Sequence, residues 1–223
     1  MTHFPQTPAN SVKRVPKRAA YDHETIYAIV DSAYICHVGL VQDGRPFVIP
    51  TIHARDGDTL LLHGASTSRL MRHAAAGHEL CLTVTHLDGL VLARSVFNHS
   101  MNYRSAVLFG RGHLIEEPAA KMAALERFTE KLIPGRWAEV RQPNETEMKA
   151  TYIVAIPIET ASAKVRVGPP NDEEEDLDWP VWAGVLPITP QFGAPISAPD
   201  ATAEYPLPSL SRPIRPRGNW RVR

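Results

Sequence analysis

Apolar positions recur along the chain in two periods, and the period changes where turn residues cluster. Ile26, Ile29, Val30 and Ala33 fall at helical spacing from about Asp22 to Ser32. Asp22 can cap that helix, and Glu24 suits the positive end of its dipole. The segments Tyr34–Val41 and Pro46–Ala54 are apolar and β-branched, and the Asp43-Gly44 pair between them is a hairpin signal. A second turn, Arg55-Asp56-Gly57-Asp58, leads into Thr59-Leu60-Leu61-Leu62-His63, so the pattern predicts a three-stranded meander. From Ser66 the spacing is helical through Leu70, Met71, Ala74 and Ala75, with Gly77 as the residue that ends it.

Two more β runs follow, Glu79–His86 and Ser105–Ile115. Leu87–Leu92 reads either as a separate strand or as an extension of the first past Asp88-Gly89. Pro118 to about Leu132 predicts a helix, with Pro118 at its first position and Met122, Leu125, Phe128 and Leu132 on one stripe. The last core strand is expected at Ala150–Ile158. About six strands separated by turns, with few helices, predict a mainly β fold, an antiparallel β-barrel with helices. Three regions are expected: a flexible N-terminal arm over residues 1–20, a barrel domain over 21–187, and a proline-rich tail over 188–223.

Composition narrows the function classes. The 24 basic and 24 acidic residues cancel, which removes the broad attraction shown by nucleic-acid and anionic-membrane binders. Hydrophobic residues at 43% and charged residues at 22% fit a soluble globular protein. The polar, basic start has no apolar core of a secretory signal, and no window matches a membrane span, so a cytoplasmic location is expected. The two cysteines, Cys36 and Cys81, lie in apolar runs and read as reduced, buried thiols. Ten histidines show no metal-ligand spacing, so no metal is expected; His53 and His99 are noted as imidazoles that could donate a proton or a hydrogen bond to a ligand.

The candidate chemistry sits at His63-Gly64-Ala65-Ser66-Thr67-Ser68-Arg69. A strand end here runs into a helix start, where unpaired backbone N–H groups and the dipole favour an anion. The hydroxyls and the Arg69 guanidinium add donors for a phosphate. Pattern alone fits an ordinary Ser cap with an exposed Arg better than a site, and the segment is neither a Walker loop nor a Rossmann fingerprint.

The order of pieces says more. Pro46–Thr51, Leu60–Arg69, the run from His99 to Gly110 and Trp179–Pro187 together resemble the pyridoxamine 5′-phosphate oxidase-related flavin-binding proteins, over about Val15 to Pro187. The likeness is greatest to the branch with nitroimidazole-resistance reductases. It implies a split β-barrel that forms a homodimer, with FMN in clefts between the subunits. The strand with Val48, Ile49, Pro50 and Thr51 would line the flavin, and His63, Gly64, Ser68 and Arg69 would hold its phosphate. Ser105 would reach the ring from the other subunit with Asn102 and Arg104 nearby, and Trp182 would pack near the cofactor. The oxidases' C-terminal Arg-x-His motif is missing, and the tail Ser209–Arg223 has only scattered arginines, which argues against pyridoxamine phosphate as substrate.

The resulting expectation is an FMN-dependent oxidoreductase acting on a small organic acceptor, a flavin or a nitroaromatic, with NADH or NADPH as donor. No catalytic side chain is assigned. The alternatives are a non-catalytic FMN carrier and a haem-binding relative of the same barrel.

Overall fold

A computed structural model describes residues 2–201. In chain order its elements are β1 (Ala19–Ala20), α1 (His23–Ser32), β2 (Ile35–Gln42), β3 (Arg45–Asp56), β4 (Thr59–Ala65), α2 (Arg69–Ala75) and β5 (Glu79–Leu92). Then come β6 (Ser100–Arg111), β7 (His113–Leu114), α3 (Pro118–Leu132), α4 (Glu145–Ala150), β8 (Thr151–Pro157), β9 (Thr160–Arg166) and β10 (Gly184–Pro187). The six expected strands are β2 to β6 and β8. The described residues hold ten, because β1, β7, β9 and β10 add short or small-residue strands. The fold is mainly β and antiparallel, as the turn spacing predicts.

Closure of the barrel follows from two strands that change partners. Residues 45–52 of β3 pair with β2, and His53–Asp56 pair with β4 instead. The β6 chain pairs with β5 and β9, passes Gly112, and continues as β7 against β8. That crossing demands glycine: a Cβ on Gly110 would lie 2.1 Å from the Pro157 carbonyl oxygen, and one on Gly112 would lie 2.6 Å from that of Ala74. The hairpin between β2 and β3 turns through Asp43 and Gly44 at φ 53° and 71°, the geometry that Asp-Gly favours.

Two apolar clusters hold the layers together. Inside the barrel, Ile26, Ile29 and Val30 of α1 pack on Leu60, Leu62, Leu80, Leu82 and Leu108. Outside, Ala124 and Phe128 of α3 cover Ala54, Leu61, Ile153 and Ala155. Strand β4 is therefore buried on both sides, its residues alternating between the two clusters. The arm expected to be flexible lies against this body. Phe4 is buried and stacks on His23 at 4.1 Å, while buried Asn10 donates to the carbonyls of Pro5 at 2.8 Å and Ala161 at 3.0 Å.

Helix α1 begins where Asp22 accepts the Thr25 N–H at 2.7 Å. Helix α2 begins at Arg69, three residues later than the pattern suggests. The Ser66 N–H instead donates to the Ala150 carbonyl at 2.9 Å and holds that stretch out of the helix. Leu87–Leu92 extends β5 through a bulge at Asp88, and β6 starts at Ser100, so Asn102 and Arg104 lie on a strand. Among the described residues no helix is long and apolar enough to cross a membrane. The tail Ser209–Arg223 lies outside the described residues.

Candidate functional site

Strand β3 has an open edge beside the start of α2. From Arg45 to Ile52 it is paired with β2 on one side, and among the described residues no strand pairs its other side until His53. Phe47 and Ile49 tuck against the barrel core, and Val48 stands outward at 67% exposure. Pro46 and Pro50 lack an N–H, which suits a strand edge. The Arg69 guanidinium lies over the Phe47 ring at 4.3 Å, a cation–π contact that ties helix to strand, and it engages no carboxylate among the described residues.

The first turn of α2 is open to an anion. Ser68 occupies the cap position with extended backbone, but its side chain accepts no N–H, and no acidic residue stands in the first turn. Gly64 precedes this turn because a Cβ there would come within 3.0 Å of Met71 Cγ. Thr67, Arg69 and Arg72 line a cleft of about 380 Å³ with Gln42, His73 and His78. Through Gln42, His73 and His78 it joins a second groove of about 720 Å³ walled by Leu40, Val41, Phe47, Leu80 and Phe109. The Gln42 Oε1 is buried without a hydrogen-bond partner, an acceptor that a ligand would satisfy.

Two imidazoles meet in this cleft. The rings of His73 and His78 are 4.4 Å apart, and neither ring makes a hydrogen bond to a described residue. Burial, reinforced by the neighbouring His78, pushes the His73 pKa down, which favours the form with a free lone pair. Sequence reasoning missed Gln42, Arg72, His73 and His78. The signal was Arg72-His73 one turn beyond Arg69, with His78 just past the helix-ending glycine.

The other expected residues lie elsewhere. His63 points from the opposite face of β4 to Gly64, beneath α3, with its ring 4.4 Å from Phe128; burial pushes its pKa down and leaves Nδ1 without a partner. Asn102 is 8% exposed, accepts from the Arg166 guanidinium and donates to the Gly168 carbonyl at 3.1 Å. Arg104 grips Asp88 through two bonds of 2.8 and 2.7 Å. The Ser105 hydroxyl donates to the Lys164 carbonyl at 3.3 Å. Trp182, 62% exposed, lies over Gly184, and β10 that follows pairs with the far end of β5. In the sheet β5 and β2 stand between β6 and β3, so one chain does not bring Asn102, Arg104 and Ser105 to the Arg69 cleft.

Of the two noted histidines, His53 is sealed. Its Nε2 lies 3.0 Å from both the Val30 carbonyl and Lys131 Nζ, and burial lowers its pKa to about 4. His99 is exposed and donates Nδ1–H to the Ser95 carbonyl at 2.8 Å. Cys36 is buried and Cys81 half-buried, and burial pushes both thiols up. No cluster of three or more metal-binding side chains occurs among the described residues.

Comparison with known proteins identifies the family. A sequence model described as pyridoxamine 5′-phosphate oxidase matches residues 22–165. The flavocytochrome Anf3 from Azotobacter vinelandii is 43% identical; the match covers 91% of this chain and 94% of that one at a TM-score of 0.85. An FAD and haem binding protein from Mycobacterium smegmatis is 40% identical over 86% of this chain and 94% of that one, at a TM-score of 0.82. A putative 5-nitroimidazole antibiotic resistance protein from Bacteroides thetaiotaomicron, 22% identical over 66% and 86% of the two chains, shares the fold at a TM-score of 0.55. Among curated proteins none matches. The match across residues 22–165 and the two structures at 43% and 40% identity agree, and the chain belongs to the pyridoxamine 5′-phosphate oxidase-related family of flavin-binding split barrels.

Proposed function

We propose that this protein is a flavin- and haem-binding oxidoreductase that passes electrons between the two groups and a small acceptor. The observation that carries the reading is the open first turn of α2 beside the unpaired edge of β3. Along that edge, Val48, Ile49, Pro50 and Thr51 would lie against the flavin, and Ser68 and Arg69 would hold phosphate. The sequence reading expects FMN. Arg72, one turn beyond Arg69 in the same cleft, supplies a cation for a second phosphate and favours FAD.

The adjoining groove fits a haem. Its walls are largely apolar, it is close to porphyrin size, and His73 and His78 offer imidazole nitrogens as ligands. The flavocytochrome and the FAD and haem binding protein, at 43% and 40% identity, support both groups in one chain. Bound flavin and haem supply the electron transfer; the protein binds and orients them, excludes water and sets their electrostatic surroundings. A homodimer completes the proposal. Ser105 and Trp182, remote from the Arg69 cleft within one chain, would approach it from a second copy, and the exposed Val41, Val48 and Met101 provide apolar surface for that contact. NADH or NADPH is the proposed donor.

Absorption spectroscopy of the purified protein tests the reading, with the flavin released by acid and identified by chromatography. FAD in the supernatant, a Soret band and oxidation of NADH or NADPH with an acceptor are expected. Protein that takes up neither flavin nor haem on reconstitution overturns it.

A further inference from the structure

The corner where β6 meets β9 holds a cation that its surroundings do not balance. Arg166 is 7% exposed and forms no ion pair with a described residue. Its Nη1 donates to the Asn102 side-chain oxygen and, at 3.2 Å, to the Gly168 carbonyl; its Nη2 donates to the Pro169 carbonyl at 3.0 Å. All of these acceptors are neutral. A guanidinium has five N–H donors, so two remain: one on Nη2 and the Nε–H, which is buried without a partner. The Nε–H shares its edge with one Nη2 N–H, the fork that grips two oxygens of a phosphate or carboxylate. A buried charge left this way is costly unless an anion accompanies it.

The same guanidinium lines a cleft of about 600 Å³ with Lys17, Arg18, Thr25 and Asn171, and among the described residues no acidic side chain lines it. Lys17 and Arg18 come from a helical turn whose left-handed lead-in at Val15, φ 53°, swings them beside β9. Burial and the Arg18 charge both push the Arg166 pKa down, as expected where cations gather without a counter-charge. Within this chain Asn102 accepts from Nη1 and leaves the Nε–H without a partner.

We propose that this cleft binds a phosphate-bearing small molecule, its dianion held by Arg166, Arg18 and Lys17 and its body between Thr25 and Pro170. Three cations suit a dianion better than a single carboxylate, and the volume suits a nucleotide-sized ligand. The site shares no residue with the α2 cleft, so it stands or falls independently of the flavin and haem reading.

Titration calorimetry of the flavin-loaded protein with pyrophosphate, and then with ADP, tests the assignment. Both should bind, and Arg18→Ala should weaken pyrophosphate about tenfold, the size of a lost charge-assisted contact. Arg166→Lys keeps the charge but lacks the fork and should weaken it by at least as much, with circular dichroism confirming the fold. Lys17→Ala provides a surface variant should Arg166→Lys fail to fold. Arg69→Ala should leave pyrophosphate binding unchanged. Absence of binding, or binding that Arg69→Ala abolishes while Arg18→Ala and Lys17→Ala spare it, overturns the proposal.

Discussion

Arg69 and Arg104 both stand where family resemblance expects contact with a flavin, yet the protein treats them oppositely. Arg69 is exposed, rests on the Phe47 ring, and meets no carboxylate among the described residues. Arg104 is half-buried and spends its fork on Asp88, the bulge residue of β5, whose carbonyl in turn accepts the Ile188 N–H at 3.0 Å. A cation steadied by an aromatic face stays available to an incoming anion, whereas one closed on a carboxylate orders the strands around it. Within one chain the α2 start leaves its donors open, as the proposed phosphate site requires, and the β6 region uses its cation to hold its own shape.

The largest effect that separates the two regions is expected from Asn102→Leu. It removes the acceptor facing buried Arg166 and should lower stability by about 3 kcal/mol in urea denaturation, with the flavin affinity of the folded protein unchanged. Loss of flavin without loss of stability would place Asn102 at the cofactor and erase the contrast. Next comes Arg69→Ala, expected to weaken flavin binding by roughly 1.5–3 kcal/mol in a fluorescence titration, with apo stability almost unmoved. Unchanged affinity would refute the phosphate assignment. Arg104→Ala should be the reverse and smaller, about 1 kcal/mol of stability, because the pair with Asp88 is partly open to water.

What the sequence reveals about these regions depends on whether a local signal exists. The β2–β3 hairpin is legible because Asp43-Gly44 fits only a few turn geometries, and α3 because Pro118 and its apolar stripe agree. The side of β4 taken by His63 is not: Leu60, Leu61 and Leu62 are all buried, so no alternation marks an inner face. Strand β9 escapes notice because Ala161, Ser162 and Ala163 carry little strand propensity; their small size suits close cover by β1 and the N-terminal arm. Helix α4, six residues long, is too short for a stripe, although its Asn144 and Glu147 form a complete capping box. The cleft itself is a tertiary object: Gln42, Arg72 and His78 come from a hairpin, a helix face and a loop, and nothing local announces that they meet.

The smallest expected effect concerns two helix caps that look alike in sequence. Asp22 accepts the Thr25 N–H at 2.7 Å, whereas the Ser68 side chain makes no such bond and leaves the first N–H groups of α2 open. Asp22→Ala should therefore lower stability by about 1 kcal/mol. Ser68→Ala should leave stability of the apo protein unchanged and weaken flavin binding by about 0.5–1 kcal/mol, the worth of one neutral hydrogen bond to phosphate. Thermal melting with and without flavin separates the outcomes. A destabilised apo Ser68→Ala would show that the hydroxyl caps the helix in solution, and α2 would then have fewer donors to offer a phosphate. A normal apo melt with a reduced flavin-induced shift would show that the helix start is left uncapped for its ligand.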